Sequence, residues 1–206
     1  DDAAQGNGNG QLDYGETANL DVTLHNVGLQ VSTGVSATLL TDDPYVTLLD
    51  AEADFGDIAA DGYASLAGAF QLALDVAVPD GHTIPFALEV VDADSNYTSY
   101  FQLTGHAPVL AVAGYEVADG EDGVLDPGEI ADLVVTFGNE GTATVGDLTV
   151  QVTSLNPNVT LSNDTFPLPS LPPEATQATT FGMTATEDAE IGELAELLSN
   201  VLGRPE

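Results

Sequence analysis

Two stretches of this chain carry oxygen donors at spacings that suit a hard cation. The sharper one is Asp119-Gly120-Glu121-Asp122-Gly123-Val124-Leu125-Asp126-Pro127-Gly128-Glu129. Counting back from Glu129 as position 12 of a calcium loop, Asp126 falls at 9, Leu125 at 8, Gly123 at 6 and Asp122 at 5. These are the residue types such a loop needs: carboxylate oxygens, a turn glycine, an apolar anchor, and a Glu that can chelate with both oxygens. Ala118 and Gly120 would hold positions 1 and 3 and offer no side-chain oxygen, so the stretch is not an EF-hand. Asp119 and Glu121 could donate by a different loop path.

The second stretch is Asn7-Gly8-Asn9-Gly10-Gln11-Leu12-Asp13-Tyr14-Gly15-Glu16. Amide carbonyls are legitimate calcium ligands but bring no charge, so this loop is expected to bind more weakly. The candidate metal ligands are therefore Asp119, Asp122, Val124, Asp126 and Glu129 in one loop, and Asn7, Asn9, Gln11, Asp13 and Glu16 in the other. An irregular cage of protein oxygens suits calcium better than the smaller magnesium ion. On charge alone, Glu129→Gln should cost more than Glu16→Gln. The same residues also fit a simpler role, as Asx-rich turns that open strands.

The two loops lie in an internal repeat. Leu12-Asp13-Tyr14-Gly15-Glu16 through Asn26-Val27-Gly28 returns as Leu125-Asp126-Pro127-Gly128-Glu129 through Asn139-Glu140-Gly141, at a constant offset of 113 residues. By Phe70/Phe181 and Gly81/Gly192 the offset has become 111. So long a period means two tandem domains rather than a solenoid. Each loop feeds an alternating run: Leu20-Asp21-Val22-Thr23-Leu24 follows the first loop, and Leu133 to Phe137 follows the second. Leu148-Thr149-Val150-Gln151-Val152 and Tyr100-Phe101-Gln102-Leu103 alternate likewise. A period of two buries one face of a sheet. Turn residues such as Thr41-Asp42-Asp43-Pro44 and Pro79-Asp80-Gly81 separate the runs. The expected fold is all-β, with two tandem β-sandwich domains at 1–105 and 106–206, which the resemblance given below implies are immunoglobulin-like. Asp188 to Leu202 has helical spacing, whereas its equivalent in copy one, His82 to Val91, reads as a strand.

Aligning the copies exposes a defect in each. Val109 to Val117 reads as an opening strand with no counterpart in copy one, and Tyr97 to Leu103 has no counterpart in copy two. A sandwich short of a strand leaves a groove and unpaired backbone along an edge. Strand addition from another molecule would fill it and give head-to-tail polymers; the alternative is a segment of a longer tandem array. Asp1 to Gln5, Val109 to Val117 and Leu194 to Leu202 are the candidate interacting ends.

Composition narrows the partners. The chain has 206 residues, 43% hydrophobic, with 34 Asp and Glu against one Lys or Arg, Arg204, for a net charge of −33. Such a surface repels nucleic acid and anionic lipid and attracts cations. Solubility and a saline medium would also account for it. No apolar run approaches the roughly 20 residues of a membrane helix, so no membrane insertion is expected. There is no Cys, so no disulfide or thiol chemistry. Asn96, Asn158 and Asn163 open glycosylation sequons. His25, His82 and His106 sit in three different repeat contexts, and no pair of acids stands out, so no catalytic residue is nominated.

Asp/Asn-Gly-x-Leu-Asp-x-Gly-Glu, then an alternating strand, then Asn-x-Gly resembles the tandem immunoglobulin-like modules of secreted bacterial and archaeal surface proteins. Similar modules follow gingipain-type protease domains and occur in adhesion-related repeats. The resemblance implies a calcium-bound sandwich in an extracellular or cell-surface setting. Its metal positions carry over to Asp122, Asp126 and Glu129, and to Asn9, Asp13 and Glu16. The expectation is a non-enzymatic subunit of a filament or surface layer, partnered by copies of itself and stabilised by calcium. The alternative is an accessory or adhesion module of a larger secreted protein, with a glycan or protein ligand.

Overall fold

The computed structural model describes residues 6–120, 122–192 and 195–202. Asp1 to Gln5, Glu121, Leu194 and Arg204 lie outside the described residues. The chain divides into two compact units, Asp1–Ala107 and Pro108–Glu206. The division falls two residues later than the repeat alone indicates. The reason is local: Gly105 and His106 still pair within unit 1, and the Ala107 N–H donates to Asp80 Oδ1.

Unit 1 holds β1 (Leu12–Asp13), β2 (Thr17–His25), β3 (Ser32–Leu40), β4 (Val46–Asp50), β5 (Glu52–Ile58), β6 (Tyr63–Leu74), β7 (His82–Val91) and β8 (Asn96–His106). They form two sheets, in the orders β1-β8-β7-β3-β5 and β2-β6-β4. Both sheets feed one apolar core that includes Leu39, Phe70, Leu72 and Ile84, all at 0% exposure. Only β1–β8 is parallel; the other pairs run antiparallel. The β7–β8 pair is a hairpin across the short turn at Asp92–Ser95; the other antiparallel pairs join strands that are not consecutive in the chain.

Unit 2 holds β9 (Leu110–Ala118), β10 (Ile130–Asn139), β11 (Leu148–Ser154), β12 (Val159–Leu161), β13 (Thr165–Leu168), β14 (Thr176–Ala185) and β15 (Leu197–Leu202). Its sheets run β12-β14-β10-β9 and β13-β11-β15. Among the described residues there is no helix. Of the stretch with helical spacing, Leu197–Leu202 is strand β15, because pairing with β11 overrides its weak local preference, and the described residues before it are turn or irregular.

The repeat survives in three dimensions. Leu20 faces Phe70 as Leu133 faces Phe181. Ser36 faces Val91 as Thr149 faces Leu202, and Leu40 faces Ala87 as Thr153 faces Leu198. Even the strained turns correspond: Asp61 and Glu174 both adopt left-handed backbone, at φ 53° and 61°. The Asn-x-Gly signature has the same job in each copy. Asn26 Nδ2 donates to the Gln30 and Ile58 carbonyls, and Asn139 Nδ2 to those of Ala143 and Leu171.

The differences lie at the edges. In unit 2, β9 covers the outer edge of β10; in unit 1, the described residues put nothing on that edge of β2. Leu20, Val22 and Leu24 are accordingly half-buried, while Leu133, Val135 and Phe137 are buried. Conversely, β8 covers β7 in unit 1, and among the described residues β15 has no such neighbour. Ile84, Phe86 and Leu88 are buried, whereas Ala195 and Ser199 are exposed and Leu197 is half-buried. Two of the sequence-nominated interacting ends are therefore already engaged on one side. Val109 to Val117 lies on β10 and Leu197 to Leu202 on β11, so neither is a free donor strand.

Candidate functional site

Both loops close on the same small ring. In unit 1 the Asp13 N–H donates to Glu16 Oε2 at 3.1 Å, and the Glu16 N–H donates back to the Asp13 carbonyl at 3.1 Å. In unit 2 the Asp126 N–H donates to Glu129 Oε2 at 2.8 Å, and the Glu129 N–H to the Asp126 carbonyl at 3.0 Å. The glycine of Leu-Asp-x-Gly-Glu makes the ring possible: Gly15 and Gly128 sit at φ 72° and 79°, where a side chain would be strained.

Around the ring the loops diverge. In unit 1 the Asn7 N–H donates to Glu16 Oε1 at 2.8 Å. Asn7 Oδ1 accepts from the Asn9 N–H, and Asn9 Oδ1 from the Gln11 N–H. Each side chain is thereby fixed with its amide nitrogen toward Asp13, and both nitrogens donate to Asp13 Oδ2, at 2.5 and 3.0 Å. Gln11 Oε1 accepts from Asn9 Nδ2. All five sequence-nominated residues of the first loop therefore meet in one network. Asn7 and Asn9 orient the carboxylate rather than point oxygens beside it.

Asp13 and Glu16 are buried, at 3% and 8% exposure. Among the described residues, Asp13 Oδ1 is the buried side-chain atom left without a hydrogen-bond partner. A carboxylate oxygen out of water with nothing to bind is costly. A cation at that oxygen would remove the cost, so the residues present fit calcium. Asp13 Oδ1, Glu16 and loop carbonyls would hold it, and the ion would supply charge neutralisation and a fixed loop path. Among the described residues no three His, Cys, Asp or Glu side chains gather at one point. The set here would be two carboxylates completed by carbonyls, which calcium accepts.

The second loop is looser. Asp119 accepts from the Gly123 and Val124 N–H groups, and Asp122 Oδ1 also accepts from Val124 at 3.0 Å. The Asp122 bond, two residues on, is an Asx turn, and Asp119 closes a wider turn by accepting from N–H groups four and five residues on. Asp122, Val124 and Asp126 are exposed and Glu129 is half-buried. Charge count ranks this loop first, but burial ranks it second. The cause is β8: in unit 1, Leu12 and Asp13 pair in parallel with Gly105 and His106, and the Tyr14 N–H donates to the His106 carbonyl at 2.8 Å. In unit 2 the described residues place no such strand beside Leu125 and Asp126.

Two histidines brace turns. His25 Nε2 lies 3.0 Å from Asp61 Oδ1 and stacks on Tyr63 at 4.1 Å. His82 Nε2 lies 2.8 Å from Asp43 Oδ2, edge-on to Tyr45. One further feature escaped the sequence reading. Val27, Leu29 and Val31 of unit 1 are exposed at 82, 97 and 56%. They line a cavity of about 680 Å³ with Leu24, Val90 and Tyr97. The equivalent positions of copy two are Glu140, Thr142 and Thr144, a contrast readable from the aligned copies.

No known family profile and no curated protein matches the chain. Similar solved structures include the secreted serine protease VesC of Vibrio cholerae, at 9% identity and TM-score 0.31, over 96% of this chain and 49% of that one. The chain thus spans about half the length of that protease. A protein of unknown function from Porphyromonas gingivalis W83 matches at 15% identity and TM-score 0.29, over 86% of this chain and 78% of that one. The CsuC–CsuE chaperone–adhesion subunit complex of Acinetobacter baumannii matches at 12% identity and TM-score 0.27, over 92% and 93%. At such scores these likenesses carry no argument about function. The chain is an all-β protein.

Proposed function

We propose that this chain is a non-catalytic extracellular structural subunit. In this reading its two units are immunoglobulin-like sandwiches, stiffened by calcium at the Leu-Asp-x-Gly-Glu loops, that join neighbouring subunits through their open sheet edges into a filament or surface layer. The observation that carries it is the pair of complementary edges. Among the described residues, the edge of β2 is open where β10 is covered, and the edge of β15 is open where β7 is covered. An open edge offers a row of unpaired N–H and C=O groups to another strand. Apolar side chains of the edge strands themselves are left only half-buried, Leu20, Val22 and Leu24 on β2 and Leu197 on β15. Calcium would also lower the self-repulsion of a chain with net charge −33 when copies are packed together.

The test is electron microscopy of the purified chain with calcium and then with EDTA. Ordered polymers that fall apart on chelation are the expected result; dispersed particles in both conditions overturn the assembly reading. A second reading, an accessory module with a glycan or protein ligand, is favoured by the exposed Val27, Leu29 and Val31 beside their cavity. Under that reading the chain stays monomeric, and Leu29→Ser weakens ligand capture without changing stability.

A further inference from the structure

We propose that the end of unit 1 formed by Val27, Leu29, Val31 and Tyr63 docks a basic, apolar segment of a different polypeptide, with its apolar side chains on this patch and its lysine or arginine side chains against the acids around it. The inference rests on the accessory-module reading above and names the class of partner.

The two copies share this end of the sandwich but not its chemistry. Ser32 faces Ile58 as Val145 faces Leu171, and the Asn-x-Gly braces coincide, so the loops after β2 and β10 correspond residue for residue. Val27, Leu29, Val31 and Tyr63 then match Glu140, Thr142, Thr144 and Thr176. In both units these positions are exposed. Unit 2 has β9 along β10 and still leaves them in water, so their exposure belongs to this end of the sandwich and not to the open edge of β2.

The loop holds its apolar side chains outward. Asn26 Nδ2 ties the Gln30 and Ile58 carbonyls, and Asn26 Oδ1 accepts from the Gly28 N–H at 2.9 Å. The Gly28 carbonyl accepts from the Asp61 N–H at 3.3 Å, and the Ser32 hydroxyl donates to Asp92. With the loop fixed at both ends, Val27, Leu29 and Val31 stay out of the core, and a partner meets them already in place. Tyr63 extends the patch through His25, which stacks on it and lines the same cavity as Leu29. Large apolar side chains grouped in water mark an interaction surface.

Charge decides what can dock. Asp92 and Asp94 line that cavity too, and the exposed Asp61 stands against His25. The Ser32 hydroxyl and the Asp94 N–H beside Asp92 hold its carboxyl below the usual carboxylate range, so it stays ionised. A second copy offers no lysine and a single arginine, Arg204, and brings a further net charge of −33. Nucleic acid and anionic lipid are repelled for the same reason. A cationic segment is steered toward the patch, and its apolar side chains then bury Val27 and Leu29.

The experiment uses the 206-residue chain and a fluorescent peptide of alternating leucine and lysine, followed by anisotropy. Two companion peptides carry glutamate for lysine, or serine for leucine. The leucine–lysine peptide is expected to bind and to slow amide hydrogen exchange at Asn26–Ser32. Leu29→Ser and, independently, Val27→Ser should each weaken it about tenfold, as burial of one aliphatic side chain implies, with melting temperature unchanged. Thr142→Ser, at the matching position of unit 2, should leave the affinity as it is. Equal affinity for the serine companion, or no effect of either unit 1 variant, means diffuse charge attraction alone and overturns the inference. Tighter binding of the glutamate companion means that the partner is not basic, and overturns it too. If Leu29→Ser instead abolishes self-association in sedimentation, the patch meets a second copy and the inference falls. Filaments that also bind the leucine–lysine peptide through Leu29 would sink the accessory-module reading alone. A monomeric chain that captures a glycan through Leu29 and ignores the peptide would sink this inference alone.

Discussion

Replacing Asn139 with Ala should remove a large share of the stability of unit 2, a loss on the order of 2–6 kcal/mol. Asn139 is 1% exposed, and its amide serves four backbone groups at once. Nδ2 donates to the Ala143 and Leu171 carbonyls at 2.8 and 3.0 Å, and Oδ1 accepts from the Val109 and Gly141 N–H groups at 3.1 Å each. Ala would strand the buried Ala143 carbonyl and Gly141 N–H, whereas the Leu171 carbonyl keeps the Val145 N–H and the partly exposed Val109 can turn to water; each buried unpaired group costs about 1–3 kcal/mol. Against a typical domain stability of about 5–15 kcal/mol, that is a large fraction of it. Asn26→Ala is the internal control. Asn26 makes the same carbonyl contacts but is half-buried, so water can replace what is lost. Urea unfolding of the intact chain should show one transition shifted far down in Asn139→Ala and a smaller shift in Asn26→Ala. Equal shifts would mean that the Asn139 network contributes no more than its half-buried twin.

Chelating calcium should lower the melting temperature by on the order of 10 °C, and Glu16→Gln should remove more of that difference than Glu129→Gln. A ligand at 100 times its dissociation constant adds about 2.7 kcal/mol to a folded state. For a domain of this size each kcal/mol moves the midpoint by about 4–8 °C. The order of the two variants follows from burial. Glu16 receives the Asn7 and Asp13 N–H groups, and Asp13 Oδ1 is buried without a partner, so without the ion the first loop holds a cost that the exposed second loop does not. Differential scanning calorimetry in calcium and in EDTA, repeated at high sodium chloride, checks this. High salt screens the diffuse repulsion of the acidic surface and leaves a specific site standing. A midpoint that EDTA does not move would remove calcium from the account. A larger loss for Glu129→Gln would restore the order that charge count predicts.

That reversal marks the boundary of what residue types can tell. The shared turn of the two loops was readable because its residues are local: the closed ring of Asp13 with Glu16 and of Asp126 with Glu129 lies within four residues. The rank of the two loops was not readable, since a strand some 90 residues away decides it: His106 lies beside Asp13. The exposed Val27, Leu29 and Val31 could have been found by setting the two copies side by side, where Glu140, Thr142 and Thr144 replace them.

The sequence by itself determined the repeat, the all-β class and the alternating faces, because each is a pattern of period two or an offset between equal segments. Only the tertiary structure decided that Leu197–Leu202 is a strand, that Leu12–Asp13 pairs in parallel with β8, and that the poorer-looking loop is the buried one. Those outcomes depend on pairing and burial between residues far apart in the chain, and such long-range packing overrides local propensity and local charge alike.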